Sequence, residues 1–235
     1  MHTTLPNGVL VRKGTPPMLG SAAFGWVMVA TYAAVSAVWV LIALDKTKAY
    51  HLFQDVVDRG RVREIDIRRA TELDDRTIRY AVVLVGAYLV ATVATALYTR
   101  RVAKNSLALG ETSVSPGWAT WCWFIPVVNL FAGFSQLRRA PKADWPVWSW
   151  QLCFLTPTVA AWLVSRMTFI SSSYDATEYG QLRPETILSQ TRNEWIATLF
   201  FAGLLPLATL LAARAVVVLH KVFGSVNEHL ATAAA

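Results

Sequence analysis

Five stretches of this chain contain no Asp, Glu, Lys or Arg: residues 14–44, 80–99, 112–137, 145–165 and 195–213. Each is about 20 residues or longer, the length an α-helix needs to cross roughly 30 Å of hydrocarbon. Only 16% of the residues are charged, whereas a soluble domain carries about 25% and uses them to coat its surface. The spacing predicts an all-α, polytopic membrane bundle and excludes an ordinary water-soluble core. Lipid is the first expected partner.

Arg12 and Lys13 precede the first run, as basic residues precede a secretory signal. The apolar stretch is much longer than a signal core, and no small-residue cleavage site occurs before Asp45, so it reads as a retained span. Cys122 and Cys153 lie inside apolar runs, where a thiol acts as a small hydrophobe. The net charge of +7 sits in basic residues at the ends of those runs. That distribution suits orientation and headgroup contact, with no nucleic-acid partner expected.

Along the chain, residues 1–18 hold prolines and glycines and predict a flexible tail. Spans are expected at about 20–44, 80–99, 145–166 and 195–218, with a loop at 167–194 and a C-terminal tail at 224–235 whose last residues, ATAAA, fray. Ala49, Leu52, Phe53 and Val56 recur at helical spacing, so the first helix should continue as an amphipathic extension to Gly60. Residues 45–79 together form an extramembrane amphipathic and charged segment, with Thr71 as the expected cap of the second helix. Gly110 is a stop signal, and Ser115-Pro116 a start signal.

Residues 118–131, WATWCWFIPVVNLF, form the most distinctive stretch. Pro126 deletes one helical hydrogen bond and crowds the carbonyl of Cys122. Asn129 adds a polar amide, and Trp118, Trp121 and Trp123 crowd the end where indoles favour the headgroup level. These features favour a re-entrant segment over 116–137, beside a full fifth span as the alternative. With a turned-back segment, the whole excess of positive charge falls on the face holding Arg100, Arg101, Lys104, Arg138, Arg139 and Lys142. These six are candidate contacts to anionic lipid headgroups, and their face, which also carries both termini, is expected to be cytoplasmic.

LYTRRVAKNSLALG at 97–110 and SPGWATWCWFIPVVNLF at 115–131, continued by Gln136 and Arg139, resemble the bacterial domain-of-unknown-function family 4328 of integral membrane proteins. The chain differs at 132–136, AGFSQ, where that family carries Arg/Lys-Pro-Tyr-Gln. The resemblance implies four spanning helices around a tryptophan motif in a bacterial plasma membrane, and supplies no activity. Its motif residues here are Ser115, Pro116, Gly117, Trp118, Trp121, Trp123, Phe124, Pro126, Asn129, Leu130 and Gln136.

Two chemical readings compete at Pro126 and Asn129: a broken helix offering carbonyls to an ion or polar substrate, or an amide that satisfies the freed carbonyl and pins neighbouring helices. Trp118, Trp121, Trp123, Trp145, Trp148 and Trp150 form either an aromatic cage or an interfacial belt. No zinc-ligand spacing, phosphate-binding glycine loop or activated serine is evident, so no catalysis, cofactor or metal is expected. The sequence therefore predicts a non-catalytic accessory or scaffold protein that binds another membrane protein or a second copy. A small channel or transporter is the alternative.

Overall fold

A computed structural model describes residues 2–5, 8–12, 15–125, 128–153 and 184–234. Two short strands, β1 (His2–Thr4) and β2 (Leu10–Arg12), precede helices α1 (Ala22–Arg59), α2 (Glu64–Ala108) and α3 (Pro116–Trp121). A 3₁₀ turn (Cys122–Phe124), a π turn (Asn129–Gly133), α4 (Phe134–Arg138), α5 (144–153) and α6 (Pro184–Ala234) follow. Among the described residues, three helices, α1, α2 and α6, are long and apolar enough to cross a membrane. Only 33%, 28% and 28% of their apolar windows are buried by protein, so most of that apolar surface is uncovered. On α2, Val82, Val83, Val85, Leu89, Val90 and Val93 are all exposed. Such a surface is stable against lipid and costly against water.

The chain divides into two compact units. The first comprises Met1–Ala33, Tyr88–Cys153 and Leu207–Ala235. Here the predicted tail is corrected: β1 and β2 pair antiparallel, with Thr4 opposite Leu10. Gly8 supplies the turn at φ +79, and Leu5, Val9 and Val11 are buried. The Pro/Gly content marked a turn between short strands, not an irregular segment. The stretch that leads into α1 is then clamped twice. Asn105 on α2 accepts from the Leu19 amide (2.8 Å) and donates to the Leu19 carbonyl (3.0 Å). Asn227 on α6 does the same for Met18, at 2.7 and 3.3 Å. Two side-chain amides thus satisfy backbone groups that no strand or helix pairs. Because Asn227 and buried Val226 hold it, α6 continues to Ala234 instead of ending near Phe223.

The end of α2 follows the predicted stop. Gly110 (φ +96) donates to Leu107, and Glu111 donates to Ser106 at 3.0 Å, the bonds of a Schellman cap.

The second unit comprises Ala34–Ala87 and Phe154–Pro206. As predicted, α1 runs on as an amphipathic helix until Gly60, which takes φ +65. Its half-buried face carries Ala49, Leu52, Phe53 and Val56. The next helix begins earlier than expected, at Glu64. Arg63 is its cap residue: the Asp66 amide donates to the Arg63 carbonyl, and Asp66 Oδ2 accepts from the Arg63 amide at 3.0 Å. This is the carboxylate half of a capping box. Thr71 lies inside the helix, donating to the Ile67 carbonyl. Propensity favoured Thr71, but the Asp66 carboxylate also pairs with Arg59 and Arg63, at 3.1 Å each, and that combination fixes the start.

In the same unit the first turns of α6 pack on α1. Lys46 pairs with Glu194, and the Trp195 indole donates to Thr47 Oγ1 at 2.9 Å. Trp195 stacks on Tyr50, and Trp39 stacks on Phe201. Consequently the expected loop at 167–194 is helical from Pro184 onward; residues 167–183 lie outside the described residues. Of the expected span at 145–166, residues 145–153 are helical and 154–166 lie outside the described residues.

Candidate functional site: the tryptophan motif

The motif does not form one continuous helix. Ser115 starts α3 as its sequence suggests, with φ −123, ψ 112, its hydroxyl accepting from Trp118 N and Pro116 in the first turn. After six residues the helix tightens to 3₁₀ geometry over Cys122–Phe124. Past the break the chain resumes as a π turn, then α4. Pro126 itself lies outside the described residues, as do the side-chain surroundings of Asn129 and Leu130.

The two ends of the motif meet. The Ser115 amide donates to Gln136 Oε1 at 3.1 Å across 21 residues, and Arg139 donates to the Ser113 carbonyl across 26. A straight helix would hold positions 115 and 136 about 30 Å apart. The segment therefore closes on itself within the first unit. Gln136 is buried and is the side chain that ties the start to the finish.

Inside the closure, Trp123 is the anchor, at 4% exposure. Its indole donates to Thr99 Oγ1 on α2 at 3.0 Å, and the Thr99 hydroxyl in turn donates to the Thr95 carbonyl at 2.7 Å. Thr95 Oγ1 donates to Ala91 O at 2.6 Å and lies 3.3 Å from the Tyr32 hydroxyl. Since Thr95 has one proton, the Tyr32 hydroxyl must be the donor in that last contact. Gly133 permits this packing: a Cβ there would sit 2.5 Å from the Trp123 ring. Edge-to-face contacts then run from Trp123 to Phe134, from Phe134 to Trp150 and from Trp150 to Tyr32.

The six tryptophans considered together divide into two groups. Trp123 and Trp150 are core residues, whereas Trp118, Trp121, Trp145 and Trp148 are exposed. The exposed indoles fit an apolar–polar boundary, and the buried pair faces protein. Phe124 is likewise exposed. Gly117 has open space where a Cβ would be, so no neighbour demands glycine there.

Among the six basic residues, Arg101 lies over the Phe24 ring at 5.2 Å and Arg138 over the Trp148 ring at 4.2 Å. Arg100, Lys104, Arg139 and Lys142 are exposed, and Lys142 takes φ 60. Glu111 accepts from Ser113, which holds its carboxyl below the usual range.

A different group of polar residues went unnoticed in the sequence. Lys48, His51 and Asp55 on α1 face Arg69, Glu72 and Arg76 on α2, around a cleft of about 400 Å³. The two sets share one spacing, three residues then four, and that regularity was the available signal.

Compared with family models, curated proteins and solved structures, the chain matches none.

Proposed function

We propose that this chain is an integral membrane protein that acts by binding other membrane components, not by catalysis. Its likeness to domain-of-unknown-function family 4328 over residues 97–139 supports placing it in a bacterial plasma membrane. Four crossings are the reading that best accommodates the connections. Met18 is bonded to Asn227, and its neighbour Leu19 to Asn105. Lys46 pairs with Glu194 just past the charge-free run of α1 and just before that of α6. With α1, α2 and α6 each crossing once, this reading requires an odd number of crossings between residue 108 and Glu194. A tryptophan motif that dips in and returns, with one crossing by the helix beginning at 144, meets that requirement. Both termini then share the face rich in Arg100, Arg101, Lys104, Arg138, Arg139 and Lys142, which we assign to the cytoplasm and to anionic headgroups.

The observation that carries the binding role is the hairpin of α1 and α2 beyond the apolar stretches. Its turn is locked by Asp66, yet its tip exposes Val62 and Ile67, at 64% and 59%. Ile67 lies about 20 Å along α2 from Tyr80, where the charge-free run begins, beyond the reach of lipid. Apolar side chains held there on an ordered tip suit a protein partner.

The test is purification from native membranes in mild detergent, comparing the parent chain with a Val62→Asp, Ile67→Asp double variant. A stoichiometric partner lost only from the folded variant supports the role. A chain that purifies alone, and whose reconstituted vesicles pass a specific solute, favours the channel reading. The broken backbone of the motif supports that second reading, since π turns and interrupted helices recur at functional sites. It predicts that Asn129→Ala alters flux without changing abundance.

A further inference from the structure

The hairpin that carries the tip also contains a seam of unusual composition. Lys48, His51, Leu52 and Asp55 stand at i, i+3, i+4 and i+7 on α1. Arg69, Glu72, Leu73 and Arg76 repeat the same spacing on α2. Positions so spaced share one helix face, and between two packed helices they are ordinarily apolar. Here only the two leucines are, and both are half-buried. The remaining six are exposed, and the helices leave the cleft of about 400 Å³ open between them. An apolar seam would have closed.

The charges in the cleft are incompletely satisfied. Lys48 pairs with Asp45 at 2.9 Å, outside the cleft lining. Among the described residues neither Arg69 nor Arg76 has an ion pair, although Glu72 lies three and four residues away on the same helix. Guanidinium groups two turns apart on one helix face, with an ammonium and an imidazole opposite, suit a phosphate, which arginine engages through paired hydrogen bonds. Asp55 and Glu72 suit hydroxyl or amine donors on the same ligand. The volume fits a headgroup-sized molecule and is too small for a helix about 10 Å across.

Depth selects among such ligands. Lys48 and Arg76 each lie four residues beyond a charge-free run, about 6 Å along the axis. The headgroup layer is roughly 5–7 Å thick on each side. Asp55 and Arg69, at the other end of the cleft, stand about 16 Å out.

We propose that this cleft binds a phosphate ester bearing hydroxyl or amine groups, its phosphate held by Arg76 with Lys48 at the end nearer the bilayer, its donors by Glu72 and Asp55, and Arg69 adding positive field from the outer end. The source is a phospholipid headgroup reaching up from the bilayer or a soluble phosphate ester. The site is independent of the protein partner proposed above, and rests on the membrane reading only for its depth.

Full-length chain in detergent is titrated with dihexanoyl phosphatidylglycerol and, separately, with glycerol 3-phosphate, and binding is read by thermophoresis. Saturable binding of the lipid alone identifies a headgroup site; binding of glycerol 3-phosphate identifies a site that soluble esters also fill. Arg69→Gln with Arg76→Gln weakens binding by about tenfold or more. Arg61→Gln with Arg68→Gln removes equal charge outside the cleft and leaves binding unchanged. If neither probe binds, or if both double variants weaken binding equally, the proposal is overturned. A failed membrane reading would show separately, as release of the chain by alkaline carbonate.

Discussion

Gly133 and Trp123 show how little space the motif leaves. A methyl group at 133 would enter the indole at 2.5 Å from two ring carbons, and Trp123 cannot retreat without giving up Thr99. Gly133→Ala is therefore expected to destabilise the chain by about 1–3 kcal/mol, the usual cost of overpacking. Thermal unfolding in detergent measures it, and a variant as stable as the parent would refute the packing described here. The tryptophan cluster was visible in the sequence, but which indoles are buried was not. Trp121 and Trp123 are two residues apart with similar apolar neighbours, yet one is 66% exposed and the other 4%. The difference arises because the 3₁₀ turn aims only Trp123 at α2.

Within the elements, two local devices set the geometry. Asp66 closes the turn between α1 and α2. Hydrogen bonds from Arg63 first, and then from Arg59, hold its carboxyl far below the ordinary carboxylate range. A folded-state pKa lowered in this way contributes stability that is present above the unfolded value of about 3.9 and lost as pH falls below it. The advantage of the parent chain over Asp66→Asn should thus be constant near neutrality and shrink steadily from about pH 4 to pH 2. Hydrogen exchange of amides 64–67 reports it, and an advantage independent of pH would contradict the assignment. The second device is the Ser115–Gln136 tie. In a Cys122→Ala, Cys153→Ala background, single cysteines placed at Ser113 and Lys142 should react with an impermeant maleimide from the same face of the membrane. Labelling from opposite faces would mean that the motif crosses completely. The Ser-Pro start and the Gly110 stop were legible because they depend on neighbouring residues alone. Thr71 misled because Asp66 finds Arg63 and Arg59 across the turn, a pairing that cap propensity does not weigh.

For the molecule as a whole, the uncovered apolar surface of α1, α2 and α6 governs behaviour. The chain should stay with the vesicle pellet after an alkaline carbonate wash; release as a soluble monomer would end the membrane reading. Charge-free length and composition alone identified these three helices, because a bilayer imposes its thickness on any element that crosses it. The amphipathic extension to Gly60 was equally plain from its period. The N-terminal hairpin, the two asparagine clamps, the closure of the motif and the polar seam were not. Apart from the hairpin, whose strands pair locally, these depend on groups brought together from farther along the chain, such as Met18 and Asn227 at a separation of 209 residues. A linear pattern records which solvent a segment prefers; which donor meets which acceptor is fixed only when the helices pack.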